Sequence, residues 1–261
     1  MSQLSLHIET IGQGTPIVML HGWGVNSAVF TPLHDALQGY CVHYVDLPGF
    51  GHSPAIKGDI DDWVETIVHQ VPESAIWIGW SLGGLIASRT ALRFPGRVKA
   101  LVTIASSPCF MARESESWPG IAPQVLTQFA TDLEQNLPKM VERFLAIQAM
   151  GSESAKQDIK QLRELVMARP LPDSNALKQG LAMLQHVDLR PELDTLKLPW
   201  LRLWGRLDGL VSRRVPPLLP QADGQIQDTM FLKASHAPFI SHTTPFCEAL
   251  LGWLRDLNER C

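Results

Sequence analysis

Three residues far apart in the chain carry side chains that together could cleave an acyl bond: Ser81, Asp208 and His236. A serine hydroxyl is a poor nucleophile at neutral pH and needs a base to take its proton as the new bond forms. A histidine supplies that base, and a carboxylate fixes its tautomer and stabilises the imidazolium that appears. Ser81 lies in AIWIGWSLGGLIAS, residues 75–88, where a short apolar run meets Gly-Trp-Ser-Leu-Gly-Gly and an apolar pattern resumes at once. The spacing predicts a buried strand through Ile76, Trp77 and Ile78, then a helix from Leu85 to Phe94 stopped by Pro95-Gly96. Almost no loop remains between them, so the chain must reverse on Ser81 itself. So sharp a turn needs neighbours without a Cβ, which Gly79 and Gly83 provide. G-x-S-x-G alone is a weak signal, since chance places it in roughly one chain in ten of this length. Placement adds to it. Asp208 follows a strand at 200–203 in WLRLWGRLDGLV, and His236 follows a strand at 229–232 in TMFLKASHAPF.

A carbonyl oxygen that becomes an oxyanion also needs donors. Backbone N–H groups supply them, one from the residue after the nucleophile and one from the loop after an earlier strand. Those are Leu82, at a helix N-terminus where the dipole favours negative charge, and Trp23 in HGWG. The two side chains shape the pocket wall.

The elements that must position these groups alternate along the first hundred residues. PIVML (16–20) runs into HGWG, CVHYVDLPGFGHS (41–53) is a strand entering a Gly/Pro loop, and VKALVTIASSP contains a buried strand at 100–104. DWVETIVHQV (62–71) reads as a helix, with Trp63, Ile67 and Val71 four apart. Strands apolar on both faces and separated by helices indicate an α/β architecture with a mostly parallel sheet, whose ligands bind at the strands' carboxyl ends. From about 110 to 186 strand-like runs give way to polar, helical sequence, and the alternation then resumes to a final helix at 246–257. We read 1–109 and 187–261 as one core domain and 110–186 as a helical lid over the sheet edge, with Pro170-Leu171-Pro172 as a connector between lid helices.

Composition bounds the rest. The chain has 261 residues, 45% hydrophobic and 18% charged, enough for one core with an inserted subdomain. A net charge of −4 gives no reason to expect nucleic acid. The opening MSQLSLHIET has neither a basic start nor an apolar stretch, and no apolar run approaches the roughly 20 residues that span a bilayer. The expectation is a cytoplasmic, monomeric protein with no membrane contact. Cys41, Cys109, Cys247 and Cys261 lack paired spacing and read as reduced thiols, and no metal or cofactor is expected. His21 reads as a hydrogen-bonding structural residue, His43 as a strand residue and His242 as structural. Asp46, which precedes the serine, reads as turn-forming, and Ser106 and Ser107 as a turn.

Through these motifs the chain resembles the α/β-hydrolase superfamily over nearly its whole length. More narrowly, LHGWG, VDLPGFG, IGWSLGGL, ALVTIASSPCF, WPGI, VERFLA, LDGLV and HAPFISH are similar to the pimeloyl-[acyl-carrier protein] methyl ester esterase family. SSPCF and HAPFISH are not demanded by hydrolase chemistry, which makes the narrower match specific. The resemblance implies hydrolysis of the methyl ester at the far end of a pimeloyl chain borne by acyl-carrier protein, releasing methanol in biotin synthesis. It implies substrate contacts at Trp23, Ser81, Leu82 and His236, and along Phe144, Leu145, Ala146, Ile147 and Gln148. Residues 139–178 hold seven Lys/Arg and five Asp/Glu, a net positive segment in a net negative chain. Charge alone makes that a solvated face. The resemblance makes it a docking surface for an acidic carrier, through Lys139, Arg143, Lys156 and Lys160. Lysine at 139, 156 and 160, where arginine is common, keeps the attraction and loses bidentate geometry. The same triad also serves a general short-chain carboxylesterase or a carbon–carbon bond hydrolase. Serine at 81 disfavours an aspartate-nucleophile dehalogenase or epoxide hydrolase. A ligand-binding receptor without turnover would tolerate a missing triad member, and all three are present.

Overall fold

The computed structural model describes residues 4–135, 142, 145, 146, 148, 155–221 and 225–260. Among these residues seven strands form one sheet: β1 (Ile8–Ile11), β2 (Thr15–Leu20), β3 (Tyr40–Val45), β4 (Ala75–Trp80), β5 (Val98–Ile104), β6 (Trp200–Gly205) and β7 (Ile226–Phe231). They run in the order β1-β3-β2-β4-β5-β6-β7. β1 is antiparallel to β3, and every other pair is parallel. All six residues of β4 and of β6 are buried, because helices cover both faces of the sheet; hence their continuous apolar runs. The exception is Arg202 in β6, fully buried beside a bidentate partner, Asp228 of β7. β7, at the sheet edge, begins and ends earlier than the sequence reading, and Leu232 stands outside it. β1 is an addition: four residues, three partly buried and Thr10 exposed, that pair along the edge β3 offers.

Helix α1 (Ile60–Val68) opens on a capping box between Asp59 and Asp62 and ends three residues before the expected Val71. Helix α2 (Leu82–Arg93) follows Ser81 directly and stops before Pro95. Between β5 and β6 lie α3 (Pro123–Gln135), α4 (Ala155–Met167) and α5 (Ser174–His186); the short α6 (Pro238–Ser241) and long α7 (Thr243–Arg260) close the chain. Pro170-Leu171-Pro172 does separate α4 from α5, and Asp173 caps α5 by accepting from the Asn175 and Ala176 N–H groups.

The segment between β5 and β6 is stitched to the core at both limbs. At its root, Cys109 and Asp188 form an antiparallel bridge and Leu189 N–H donates to Pro108 O at 2.9 Å. At its return limb, the Trp23 indole N–H donates to Leu177 O at 2.8 Å, and Asn26 Nδ2 donates to Val166 O at 3.0 Å. Arg169, counted in the sequence among the cations of this segment, instead points inward. Its guanidinium meets Asp46 at 2.9 Å and Glu9 at 3.0 Å. Among the described residues no helix is long and apolar enough to cross a membrane, and Cys41, Cys109 and Cys247 are free thiols; Cys261 lies outside the described residues.

Candidate active site

Ser81 is the residue on which β4 becomes α2. Its backbone sits at φ 54° and ψ −118°, a left-handed conformation that costs a non-glycine residue roughly 1–3 kcal/mol. The surroundings hold it there: Ser81 N–H donates to Ile104 O at 2.9 Å, and Ser81 O accepts from Gly84 N–H and from the Ser106 hydroxyl at 2.8 Å. The demand for small neighbours is literal. A Cβ on Gly79 would lie 2.2 Å from Gly83 O, and one on Gly83 would lie 2.2 Å from Leu20 O.

β6 and β7 deliver the other two groups. Asp208 follows β6, and its Oδ1 accepts from the N–H groups of Leu210 and Val211 at 2.8 and 3.0 Å. Its Oδ2 lies 2.7 Å from His236 Nδ1, with both side chains buried. That contact puts the imidazole proton on Nδ1 and leaves Nε2 as the acceptor. His236 is tied to the serine elbow by the adjacent residue, since the Trp80 indole N–H donates to His236 O at 2.8 Å. Nε2 is buried and makes no hydrogen bond among the described residues, so the serine–histidine bond is not formed in this structure. Nucleophile–base bonds of this kind commonly tighten only when substrate binds.

The expected oxyanion donors flank Ser81. Leu82 opens α2, where the first-turn N–H groups have no helical partner. On the other side, a Cβ on Gly22 would lie 3.3 Å from Ser81 Cβ, so the Gly22–Trp23 peptide runs against the serine. An apolar slot opens from Ser81 and Trp23, walled by Phe110, Ile121 and Phe129 on one limb of the helical segment and Leu181 on α5.

Of the residues expected to hold substrate, Leu145 and Gln148 are buried and Ala146 is half-buried; Phe144 and Ile147 lie outside the described residues. Gln148 O accepts from His236 N–H at 3.1 Å, while its own amide nitrogen and oxygen are buried without partners among the described residues. Of the expected docking cations, Lys156 and Lys160 are exposed one turn apart on α4; Lys139 and Arg143 lie outside the described residues. Lys160 is 3.9 Å from Glu164, and Arg163 on the same helix pairs with Glu142 at 2.9 Å.

Other readings change in detail. His43 is a half-buried strand residue bonded to Thr10 Oγ1, and His242 bonds the Ser241 hydroxyl. Ser107 forms a local turn with Cys109, whereas Ser106 buttresses the nucleophile's carbonyl, a role with no sequence signal beyond following β5. Asp46 is not a turn residue. It is fully buried and accepts from the Ser27 and His52 N–H groups as well as from Arg169. Burial pushes its carboxyl upward, but His21, those N–H groups and Arg169 outweigh burial and hold it below the usual carboxylate range.

A mostly parallel sheet with a serine on a strand-to-helix elbow, and an Asp–His pair on two later strand ends, defines an α/β-hydrolase. Residues 15–243 match the alpha/beta hydrolase fold family. A pimeloyl-[acyl-carrier protein] methyl ester esterase from Shewanella woodyi is 66% identical over 250 residues, covering 96% of this chain and 98% of that protein. One from Aeromonas hydrophila is 50% identical, covering 95% and 98%. Among solved structures, an esterase from Exiguobacterium antarcticum superposes with a TM-score of 0.84 at 24% identity, covering 96% of this chain and 95% of that one, a likeness of fold. The chain belongs to the α/β-hydrolase fold family and, within it, to the pimeloyl-[acyl-carrier protein] methyl ester esterases.

Proposed function

We propose that this protein is a serine carboxylesterase that hydrolyses the methyl ester of pimeloyl-acyl-carrier protein to methanol and the free carboxylate, with Ser81, His236 and Asp208 as its triad. The observation that carries the chemistry is the buried Asp208–His236 pair at 2.7 Å, joined through Trp80 to the strained Ser81 elbow. Ser81 Oγ attacks the ester carbonyl while His236 Nε2 takes its proton, and Asp208 stabilises the imidazolium. The N–H groups of Trp23 and Leu82 receive the oxyanion. His236 then protonates the departing methoxide. A water, deprotonated by the same nitrogen, cleaves the acyl-enzyme and regenerates Ser81.

The substrate reading rests on the family and on the character of the site. The slot beside Ser81 is apolar, which suits a methylene chain, each CH₂ being worth roughly 0.8 kcal/mol when buried. Residues 110–186 act as a lid that carries both that wall and the docking surface. Lys156 and Lys160, exposed on α4, attract the acidic carrier, with Lys139 and Arg143 in the same role. The test is methanol release by purified protein from pimeloyl-acyl-carrier-protein methyl ester, compared with the free methyl ester and with S81A. We expect higher kcat/KM on the carrier-bound ester and no turnover by S81A. Equal kcat/KM on both esters would make this a general carboxylesterase, and an active S81A would remove the serine mechanism.

A further inference from the structure

His21 belongs to no proton-transfer step above, yet its two ring nitrogens are both committed. Nε2 lies 2.9 Å from the main-chain N–H of Leu47, which can only donate. Nδ1 lies 2.7 Å from Gly22 O, which can only accept. The two contacts together leave one assignment: a neutral ring with its proton on Nδ1. The ring is fully buried and packs edge-on to Phe50. Burial drives its pKa down to about 4, Asp46 and the Gly22 carbonyl opposing this and Arg169 adding to it, so the neutral form persists through the physiological range.

The carbonyl that His21 holds is half of a particular peptide. Gly22 C=O and Trp23 N–H share one planar unit, and no peptide bond among the described residues is cis. In a trans peptide the two groups point in opposite directions, so fixing one aims the other. The segment Gly22-Trp23-Gly24 has little stiffness of its own: Gly22 lacks a Cβ, and Gly24 sits at φ 77°. Something outside it must stop this peptide from turning over. The Trp23 side chain is pinned by its indole bond to Leu177 O, but that bond fixes the ring, not the preceding peptide plane.

We propose that His21 is a positioning residue for the oxyanion site: its Nδ1–H grips Gly22 O so that the Trp23 N–H faces the carbonyl oxygen of an ester attacked by Ser81. This rests on the serine-esterase reading above. Behind His21, Leu47 is set by its neighbour Asp46, whose carboxylate gathers Ser27 N–H, His52 N–H and Arg169. Arg169 follows α4, so the anchor of the helical segment and the aim of the oxyanion donor share one buried network.

Two substitutions divide the ring's two functions. In H21N the side-chain amide can keep a donor at the Nδ1 position and loses the acceptor for Leu47. In H21Q the longer amide can keep the Leu47 acceptor and loses the donor to Gly22. With a free methyl ester, H21Q should lower kcat about 10- to 100-fold with KM within about threefold of wild type, the signature of a lost transition-state contact. H21N should stay within about fivefold of wild type. The affinity of a trifluoromethyl ketone, whose adduct with Ser81 carries an oxyanion, should fall in H21Q by the same factor as kcat. Equal losses in H21N and H21Q, or an H21Q of wild-type kcat, would overturn the proposal. An S81A that still turned over the ester would overturn the esterase reading instead. Should H21Q fail to fold, nitrogen-15 NMR of the wild-type ring decides: a proton on Nδ1 alone between pH 5 and 8 is required, and a proton on Nε2 overturns it.

Discussion

Lowering the pH from 7 to 4.5 should destabilise this protein through His21 in particular, by an amount the structure sets. In the unfolded chain an imidazole ionises near pH 6.5. In the folded protein, burial pushes His21 down to about 4. Between those two values the unfolded chain binds a proton that the folded protein refuses. Stability from this group is therefore complete above pH 6.5 and is lost as the pH falls towards 4. At pH 4.5 the linkage amounts to about 2–3 kcal/mol, a large share of the roughly 5–15 kcal/mol that holds a domain folded. The molecular cause is steric as well as electrostatic: a proton added to Nε2 would face the Leu47 N–H, donor against donor. The charged groups around the ring do not rescue it. Asp46 attracts the added proton and Arg169 repels it, and burial outweighs both.

The assay is urea unfolding of wild type and H21N at pH 7 and pH 4.5. His34 and His43, whose pKa values burial also lowers, contribute equally to both proteins, so the comparison isolates His21. Asp46 is held below the usual carboxylate range partly by His21 itself, so any change at Asp46 in H21N belongs to the same buried contact. We expect wild type to lose about 2–3 kcal/mol more than H21N across this interval. Equal losses would refute the assignment of a buried, neutral His21 and, with it, the tautomer on which the oxyanion positioning depends.

Replacing Arg169 with Met should cost about 3–5 kcal/mol in urea unfolding, because it leaves the fully buried Asp46 carboxylate without its cation; a loss below about 1 kcal/mol would mean that the two N–H donors satisfy Asp46 unaided. Gly83→Ala should fail to accumulate as folded protein, since its Cβ would meet Leu20 O at 2.2 Å, and a soluble variant with wild-type kcat would contradict the elbow geometry. Ser106→Ala removes the hydroxyl that donates to Ser81 O and should lower stability by about 1 kcal/mol while slowing phosphonate labelling of Ser81; labelling at the wild-type rate would confine Ser106 to a structural role. Reversing Lys156 and Lys160 to Glu should raise KM for the carrier-bound ester on the order of tenfold at low salt and leave the free ester unchanged, and an equal rise for both would remove docking as the explanation.

The parts of the site that can be read from sequence are those whose causes are local. β4, Ser81 and α2 are contiguous, and the glycines that permit the turn stand within two residues of the serine. Asp208 is legible because it follows the fully buried run of β6, and His236 because it follows the next strand, β7, on the partly exposed sheet edge; parallel strands bring their carboxyl ends to one edge. What escapes is contact between loops. Asp46 sits among Pro and Gly, so local chemistry assigns it a turn; nothing nearby announces Arg169, 123 residues later. Arg169 itself joins the other cations of its segment in any count of charge, yet it turns inward to Asp46 and Glu9. β1 has too few residues and too little burial to show a period, and pairs along the edge β3 offers.

Apart from β1, the contacts that no local pattern announces share a location, and they include the partners of His21, itself legible as a hydrogen-bonding structural residue. His21, Asp46, Arg169 and the Trp23–Leu177 bond all surround one peptide, beside the nucleophile rather than within it. A nucleophile, a base and an acid must be of given types at given strand ends, which leaves a mark in the sequence. Holding an N–H still requires only that some donor, acceptor or ion pair reach it from any direction, which leaves none. An oxyanion site stabilises charge without reorganising only if its dipoles are already fixed. The reaction is therefore written in a few residues of recognisable type, while its speed depends on buried polar contacts between distant loops.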